Sequence, residues 1–334
     1  MTGSPRSPRP TISCVVPAFN EAENLGPLLG ELTVQLARQS SRWELIVVDD
    51  GSHDATPAAM APWLTRPGVR YVRLSRNFGK EAALTAGIDR AVGDVVLLMD
   101  ADRQHPVALV PEMLAAWHKG ADMVCAARTS RADEGIAKRL GTALFYRLVN
   151  RDSAVPIPMD AGDFRLMDRR VVDAIKSLPE RNRFMKGLYA WVGFNTVSIP
   201  YLPHERSSGT SKFSTRRLAR LAFTGVTAFT NAPLRWWSAL GAAIATVALA
   251  YGCWIVIEHL LYGVSVPGWA TLVAGMMFLS GVQLLSIGIL GEYVGRIFDE
   301  VKQRPIYLVG LEAGQGAIGL PAAPRRVSES STTG

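Results

Sequence analysis

Two carboxylates stand one residue apart in the segment Asp100-Ala101-Asp102-Arg103-Gln104, directly after the apolar run VVLLM. Carboxylate and amide oxygens are the ligands that Mg²⁺ and Mn²⁺ favour, and these ions fill their remaining positions with phosphate oxygens and water. Asp100, Asp102 and Gln104 are therefore predicted to bind a divalent cation and, through it, a diphosphate. The alternative is a pair of solvated turn acids, which the preceding strand-like run disfavours.

A second acidic cluster, Asp49-Asp50-Gly51-Ser52, follows the apolar run WELIVV. Carboxylates at such a strand end can accept hydrogen bonds from a base and from ribose hydroxyls, while Gly51 permits close backbone approach. The segment Pro17-Ala18-Phe19-Asn20-Glu21 ends an earlier run and could cover the base. Because Asp, Asn and Gly are also ordinary turn formers, each cluster alone is equally compatible with a simple turn.

Phosphate-binding groups are predicted at two further places. Asn77–Glu81, which contains Lys80, precedes a predicted helix whose N-terminus would favour phosphate. His204–Lys212 is a turn-rich stretch whose Arg206 can hold a phosphate through two parallel hydrogen bonds. A cationic site before a membrane-approaching helix suits a lipid phosphate headgroup. Neither GxxxxGK[ST] nor a GxGxxG after a strand occurs, which disfavours an NTPase or a nicotinamide enzyme.

The elements that would position these residues are short apolar strands alternating with helices. Such an order favours an α/β fold with a mostly parallel sheet, whose ligands bind beyond the carboxyl ends of the strands. The polar clusters fall at those ends. The predicted strands are Thr11–Pro17, Trp43–Val48, Val69–Leu74, Asp94–Met99 and Met123–Ala127.

The last third of the chain has a different composition. Of the 334 residues 48% are hydrophobic and the net charge is +7, but the apolar excess lies mainly in two stretches, at about 238–260 and 268–291. Each is long enough to cross a bilayer, and interfacial aromatic residues flank the pair. Basic residues flank the pair and are missing between its members, so the positive-inside rule predicts that both termini and the catalytic domain are cytoplasmic. Two buried core helices are the alternative.

The predicted domain organisation follows from these patterns. Residues 1–10 form a disordered tail, 11–214 the cytoplasmic catalytic domain, and 215–235 an amphipathic helix at the membrane interface or, alternatively, an ordinary surface helix. Residues 236–295 hold the two membrane helices. The segment 296–334 returns to the cytoplasm and is predicted to be disordered after about 310.

In order along the chain, these motifs resemble family 2 glycosyltransferases with the A-type nucleotide-sugar-binding, Rossmann-like fold. More narrowly, the chain is similar to polyprenyl-phosphate glycosyltransferases of the dolichol-phosphate mannose synthase type, in the bacterial form with two C-terminal transmembrane helices. The departures, such as Arg103 and Val107 within DADRQHPV, remove no presumed ligand. The motifs are VVPAFNE (15–21), VVDDGS (47–52), RNFGKEAALTAG (76–87), DADRQHP (100–106), DAGDFRLMDRRVVDAI (160–175), RFMKGLYAWVGF (183–194) and RSSGTSKF (206–213).

The resemblance implies a role for each site residue and a set of partners. Catalytic roles fall to Asp102, Asp160, Asp163 and Arg206. Nucleotide binding falls to Pro17, Ala18, Asn20, Glu21, Asp49, Asp50, Lys80, Asp100 and Ala101. Phosphate and acceptor binding fall to Arg128, Arg139, Arg206, Ser211 and Lys212, and metal binding to Asp100, Asp102 and Gln104. The implied partners are a nucleotide sugar, a polyprenyl phosphate, membrane lipid and further copies of the chain as a tetramer, with no nucleic acid.

The predicted reaction is metal-dependent, inverting transfer of a sugar from a UDP- or GDP-sugar to a polyprenyl phosphate at the cytoplasmic membrane face. The product would supply cell-envelope glycan or glycolipid modification. A processive polysaccharide synthase is an alternative, disfavoured because the chain has no QxxRW signature. A non-catalytic nucleotide-sugar sensor or scaffold is the other. Sugar, nucleotide and the choice between Mg²⁺ and Mn²⁺ stay open.

Overall fold

A computed structural model describes residues 6–128, 161–181, 183–201 and 268–316, together with isolated positions between 241 and 261. The described chain divides into two compact units. The first contains a single mixed sheet with helices on both faces. The second contains a long C-terminal helix.

The sheet has eight strands in the order β7-β5-β6-β4-β1-β2-β3-β8. Strands β1 to β4 run parallel to one another, β5 and β7 pair in parallel, and β6 and β8 are antiparallel to their neighbours. The predicted α/β class with a mostly parallel sheet is therefore confirmed. The strands are β1 (Ile12–Ala18), β2 (Trp43–Asp49), β3 (Val69–Leu74), β4 (Val95–Leu98), β5 (Met123–Arg128), β6 (Ala161–Asp168), β7 (Thr196–Tyr201) and β8 (Val309–Gly314).

Helices cover both faces of this sheet because its central strands are apolar on both sides. Along β1, Cys14 and Val16 pack on one face, and Val15 packs on the other. Helices α1, α2 and α4 cover the first face, and α3, α5 and α6 cover the second. They are α1 (Ala22–Gln39), α2 (Thr56–Met60), α3 (Lys80–Arg90), α4 (Val110–His118), α5 (Arg169–Ser177) and α6 (Met185–Trp191), with short 3₁₀ turns at Ala61–Trp63 and Val107–Leu109.

The strand order explains why polar residues from distant parts of the sequence meet. Strands β4, β1 and β2 are adjacent and parallel, so their carboxyl ends lie side by side at one edge. Strand β6 runs the opposite way, and Arg165 pairs with Leu98 at the last register position of β4. The beginning of β6 therefore lies beside the end of β4, which brings Asp163 to the level of Asp100.

The predicted disorder of residues 1–10 is wrong for residues 6–10. The Arg6 guanidinium donates to the Trp117 carbonyl and to Asp122 Oδ1, the latter at 3.0 Å, and lies over the Trp117 ring. The Pro10 carbonyl accepts a hydrogen bond of 2.7 Å from Ser40 Oγ. These contacts join segments far apart in sequence, so the composition of the tail could not indicate them.

The predicted disorder after about residue 310 is also wrong for the residues that form β8. Strand β8 pairs antiparallel with β3 and covers that edge of the sheet. Glu312 in β8 accepts from Arg70 at 2.7 Å and from Arg90 at 3.2 Å. The folded domain therefore does not end at residue 214, because the last strand of its sheet comes from the far end of the chain.

The second unit contains α7 (Trp269–Val301), a helix of 33 residues. Within the part of the chain that the structure describes, one helical stretch, Phe278–Val301, is long and apolar enough to cross a membrane. The helix continues ten residues beyond the predicted end of the second span, because charged residues such as Glu292 and Arg296 end the apolar run without ending the helix. The described positions between 241 and 261 are also helical. The interfacial helix predicted at 215–235 lies outside the described residues.

Candidate functional site

A cavity of about 300 Å³ opens where the carboxyl ends of β1, β2 and β4 meet. Its described charged groups are four carboxylates and one ammonium, so it favours cations and hydrogen-bond donors. The lining residues are Pro17, Ala18, Phe19, Glu21, Asp50, Asn77, Gly79, Lys80, Ala83, Asp100, Ala101 and Asp102. The structure thus brings together eight of the residues predicted at the site: Pro17, Ala18, Glu21, Asp50, Lys80, Asp100, Ala101 and Asp102.

Asp50 holds the beginning of α3 at this cavity. Its carboxylate accepts from the backbone N–H groups of Phe78 at 2.7 Å and Gly79 at 2.9 Å. Burial raises the pKa of Asp50, although these two hydrogen bonds act in the opposite direction. Gly51 has a φ of +68°, and a Cβ there would lie 2.5 Å from the Arg76 backbone. A side chain at residue 51 would therefore push the two loops apart.

Asp100 and Asp102 face the same cavity but have different partners. Lys80 Nζ lies 2.8 Å from Asp100 Oδ1 and 2.9 Å from Oδ2. Burial alone would raise the pKa of Asp100, but Lys80 and His105 hold it well below its usual range. Asp102 Oδ1 accepts from the Gln104 backbone N–H at 3.1 Å, which fixes the turn after β4. Asp100 is thus paired with a cation, and Asp102 stands in the turn beside it.

Asp163 and Glu81 extend the charged cluster towards β6. Asp163 Oδ2 lies 2.5 Å from Lys80 Nζ, so the same ammonium bridges the carboxylates of two strands. Glu81 accepts from the Met185 backbone N–H at 3.1 Å, which connects the start of α3 to the start of α6. Burial, followed by the negative charge of Asp163, raises the pKa of Glu81 to about 7.

Sequence reasoning did not single out His105, although it lies within the motif DADRQHP. The ring is buried against Phe164, and its Nδ1 lies 2.8 Å from Tyr201 Oη. Its Nε2 lies 3.7 Å from Asp100 Oδ2. Tyr201 ends β7, and no local pattern distinguishes it, because only the sheet order brings it to this position. His105 therefore connects the motif DADRQHP to β7, the strand at one edge of the sheet.

Besides Asp163, three predicted residues whose side chains the structure describes do not line the cavity. The side chain of Asn20 accepts from the His53 N–H at 2.9 Å, which joins the loops after β1 and β2. Asp49 is fully buried, and its carboxylate accepts from Tyr71 Oη at 2.5 Å and from the Ser52 N–H at 2.7 Å. Gln104 is buried beneath the turn. The structure therefore gives Asn20 and Asp49 the role of supporting the loops rather than lining the cavity.

The remaining predicted residues cannot be placed at the cavity. For Arg128 the structure describes the backbone as the last residue of β5. Outside the described residues lie Asp160, Arg139, Arg206, Ser211 and Lys212.

The chemistry of the cavity fits a divalent cation. Asp100 and Asp102 present carboxylate oxygens to it, and Asp100 already pairs with a positive charge. Within the described ranges no three His, Cys, Asp or Glu side chains form a closed metal cluster. An open site with two carboxylates is what Mg²⁺ or Mn²⁺ requires when a diphosphate and water complete the shell.

Comparison with known proteins agrees with this geometry. Residues 13–176 match glycosyl transferase family 2, and residues 232–297 match the GtrB C-terminal hairpin. The SfII prophage-derived bactoprenol glucosyl transferase of Shigella flexneri is 44% identical over 299 residues, covering 89% of this chain and 97% of that protein. The prophage bactoprenol glucosyl transferase homolog of Escherichia coli K12 is 42% identical over 300 residues, covering 89% and 98%.

A more distant likeness comes from a solved structure of Mycobacterium tuberculosis glucosyl-3-phosphoglycerate synthase with Mn²⁺, UDP-glucose and phosphoglyceric acid. It covers 66% of this chain and 79% of that one, with 20% identity and a TM-score of 0.46, too distant to carry an argument about function. The prophage proteins are different, because they align over 89% of this chain and over nearly their own whole length. By that similarity the chain belongs to glycosyl transferase family 2, in the group with a GtrB C-terminal hairpin, and it is a glycosyltransferase.

Proposed function

We propose that this enzyme transfers a sugar from a nucleotide-sugar donor to a polyprenyl phosphate. The observation that carries the proposal is the acidic cavity at the ends of β1, β2 and β4, in which Asp100 and Asp102 stand beside the N-terminus of α3. The acceptor class is supported by relatives that align over nearly their whole length and are named bactoprenol glucosyl transferases. Glucose is for the same reason the first sugar to test.

The donor would lie across the cavity, with its nucleoside towards β1 and β2. Phe19 is 40% exposed at the cavity and offers a ring face for the base. Glu21 and Asp50 can accept hydrogen bonds from the nucleoside. The diphosphate would lie against Lys80 and the first turn of α3, where the backbone N–H groups and the helix dipole favour negative charge.

The leaving group is a nucleoside diphosphate, so its negative charge must be neutralised as the bond to the sugar breaks. A Mg²⁺ or Mn²⁺ ion held by Asp100 and Asp102 would supply this neutralisation as a Lewis acid. Lys80, whose Nζ lies within 2.9 Å of both oxygens of Asp100, would add a second positive charge. His105 lies beside Asp100, with its ring Nε2 3.7 Å from Asp100 Oδ2.

The acceptor needs no protein base. A phosphate monoester has a second pKa of about 6, so at neutral pH it is largely a dianion that can attack the anomeric carbon directly, with inversion. The chain's work is then positioning and charge neutralisation. We assign the acceptor phosphate to Arg128, Arg139, Arg206, Ser211 and Lys212. We assign Asp160 and Asp163 to the transferred sugar, whose hydroxyls they can orient.

We further propose that the catalytic unit and both termini are cytoplasmic and that two helices, at about 238–260 and from Trp269 onward, anchor the chain. Support comes from the apolar stretch Phe278–Val301 and from basic residues flanking the pair, which the positive-inside rule places in the cytoplasm. A tetramer would hold several catalytic units at one membrane surface. Blue-native electrophoresis of the detergent-extracted chain tests that assembly.

The test of the function is transfer in membranes that contain the full-length chain. Radiolabelled UDP-glucose, other UDP-sugars and GDP-mannose are supplied separately with a polyprenyl phosphate and either Mg²⁺ or Mn²⁺. We expect one donor to give lipid-extractable label that depends on both lipid and metal. Label in an insoluble polymer would instead indicate a polysaccharide synthase. Absence of label with every donor would favour a non-catalytic sensor.

Asp102→Asn should reduce lipid-extractable product by at least about a hundredfold, because the site loses one of the two carboxylates that would hold the cation, and it is the cation that would neutralise the leaving diphosphate. The matched control is Asp173→Asn, which changes a side chain that is 61% exposed on α5. Both variants are expected in the membrane fraction at wild-type levels. Near-normal product from Asp102→Asn in that fraction would overturn the assignment.

A further inference from the structure

Lys80 lies between Asp163 and Asp100, the second of which is a proposed ligand of the divalent cation. Its Nζ lies 2.8 Å and 2.9 Å from the two oxygens of Asp100 and 2.5 Å from Asp163 Oδ2. The two carboxylates are largely covered, with side chains 21% and 17% exposed, whereas the Lys80 side chain is 45% exposed. One partly exposed ammonium therefore neutralises two carboxylates that have little access to solvent.

Without the two carboxylates, the position of Lys80 in its helix would be unfavourable for an ammonium group. Lys80 is the first residue of α3, where the positive end of the helix dipole disfavours a cation. Asp50 fixes the backbone just before it, so the helix cannot turn this end away. The oxygens that the structure places within 2.9 Å of the Lys80 Nζ all belong to the carboxylates of Asp100 and Asp163. The ammonium is thus held by anions and would follow an anion that offered more oxygens.

We propose that Lys80 is an exchangeable internal counter-ion, which occupies the cation site of Asp100 when the donor is absent and moves to the donor's diphosphate when it binds. This inference rests on the proposed function and deepens it by assigning an order to the site. A divalent cation that arrives alone must displace an ammonium that then has no anionic partner. When the cation arrives together with a nucleoside diphosphate, the displaced ammonium can pair with the diphosphate. The cation and the diphosphate therefore assist each other's binding.

The consequence can be measured without catalysis. Because coupling between two ligands is reciprocal, Mn²⁺ should bind more tightly in the presence of UDP, and UDP more tightly in the presence of Mn²⁺. Lys80→Met removes the competitor of the metal and also a partner of the diphosphate. The variant should therefore bind Mn²⁺ alone about tenfold more tightly than the wild type and bind UDP more weakly.

The experiment uses the full-length chain in detergent, with Mn²⁺ binding followed by the electron paramagnetic resonance signal of free Mn²⁺ and UDP binding by calorimetry. Lys119→Met, which removes an exposed ammonium after α4, is the matched control and should bind both probes as the wild type does. If Lys80→Met does not give a monodisperse protein, Lys80→Gln removes the same charge and keeps a polar chain. Either variant serves the comparison.

The proposal predicts tighter binding of Mn²⁺ and weaker binding of UDP by the Lys80 variant. These opposite changes distinguish it from a role of Lys80 in phosphate binding alone or in bracing the loops alone. If Lys80 only binds phosphate, Mn²⁺ affinity without UDP will be unchanged, and if Lys80 only braces the loops, both ligands will bind more weakly. Either result would overturn the inference. Failure of the proposed function is distinguishable, because it would appear as wild-type protein that binds Mn²⁺ and UDP but yields no lipid-linked sugar.

Discussion

Individual carboxylates at the cavity differ in what keeps them in place. Asp50 accepts two backbone N–H bonds, Asp100 pairs with an ammonium, and Glu81 sits in partly buried surroundings with one backbone donor. A group that is buried with little compensation is the one whose protonation depends on pH near neutrality. Glu81 is that group, and its hydrogen bond with the Met185 N–H links the start of α3 to the start of α6.

The raised pKa of Glu81 predicts a pH dependence of stability with a definite sign. Between its ordinary value of 4.5 and about 7, the folded chain retains a proton on Glu81 that the unfolded chain has released. The contribution of Glu81 to stability therefore falls as pH rises through this window and is level above it. Glu81→Gln keeps the acceptor for Met185 and cannot ionise, so it should match the wild type at pH 5 and melt about 3 °C higher at pH 8.

The measurement is the thermal unfolding of full-length protein in detergent from pH 5 to pH 8. Glu23→Gln replaces an exposed carboxylate in the first turn of α1 and should follow the wild type at every pH. A constant difference between Glu81→Gln and the wild type across the range would contradict the assignment.

At the scale of elements, helix α3 approaches the sheet more closely than a side chain at its centre would allow. A Cβ on Gly87 would lie 2.2 Å from Val15 Cγ1 and 3.2 Å from Val48 Cγ2. The close approach carries Lys80 and Glu81, at the other end of the same helix, over the ends of the strands. Small residues at this interface thus set the height of the charged groups above the cavity.

Gly87→Ala should destabilise the protein by about 1–3 kcal/mol, because the added methyl group forces α3 away from β1 and β2. The control is Gly30→Ala in α1, where the new methyl group would make only an ordinary contact of 3.9 Å with the Trp63 ring and the substitution should be neutral or stabilising by up to about 1 kcal/mol. Chemical unfolding of the two variants in detergent compares them. Equal stability would show that α3 can move without cost.

The elements near the cavity were predictable because their signals are local. Apolar runs end at Asp49 and at Asp100, and the helix predicted beside the segment Asn77–Glu81 is present as α3, which begins at Lys80. The contacts that select between neighbouring side chains were not predictable. Asp49 and Asp50 are adjacent and chemically identical, yet Asp49 turns inward to Tyr71 while Asp50 turns to the α3 loop, and only the pleat of β2 and the position of β3 decide which.

At the scale of the whole molecule, the sheet is assembled from both ends of the chain. Strand β1 lies near its centre, and β8, which follows the long helix α7, forms one edge. No local pattern predicts this pairing, because Val309–Gly314 contains two glycines, at residues 310 and 314, and is largely exposed. The partner strand and the paired charges of Glu312 with Arg70 and Arg90 stabilise it instead.

Truncation after Tyr307 should therefore lower the melting temperature by about 4 °C or more, because it removes the ladder of hydrogen bonds along β3 and leaves an open edge. Truncation after Gly316 keeps β8 and should behave as the full-length chain does. Light scattering during the melt will report whether the open edge also promotes aggregation. Identical melting of the two truncated chains would show that β8 contributes nothing to stability.

The pairing of strand β8 also restricts how many times the chain can cross a membrane. Tyr201 in β7 and Val309 in β8 belong to one hydrogen-bonded sheet, so both lie on the same side of any bilayer. The intervening residues 202–308 must consequently cross it an even number of times or not at all. If α7 crosses once, a second crossing must lie between residues 202 and 268. The hydrogen bonds of β8 with β3 would then require that the chain cross the membrane as a hairpin.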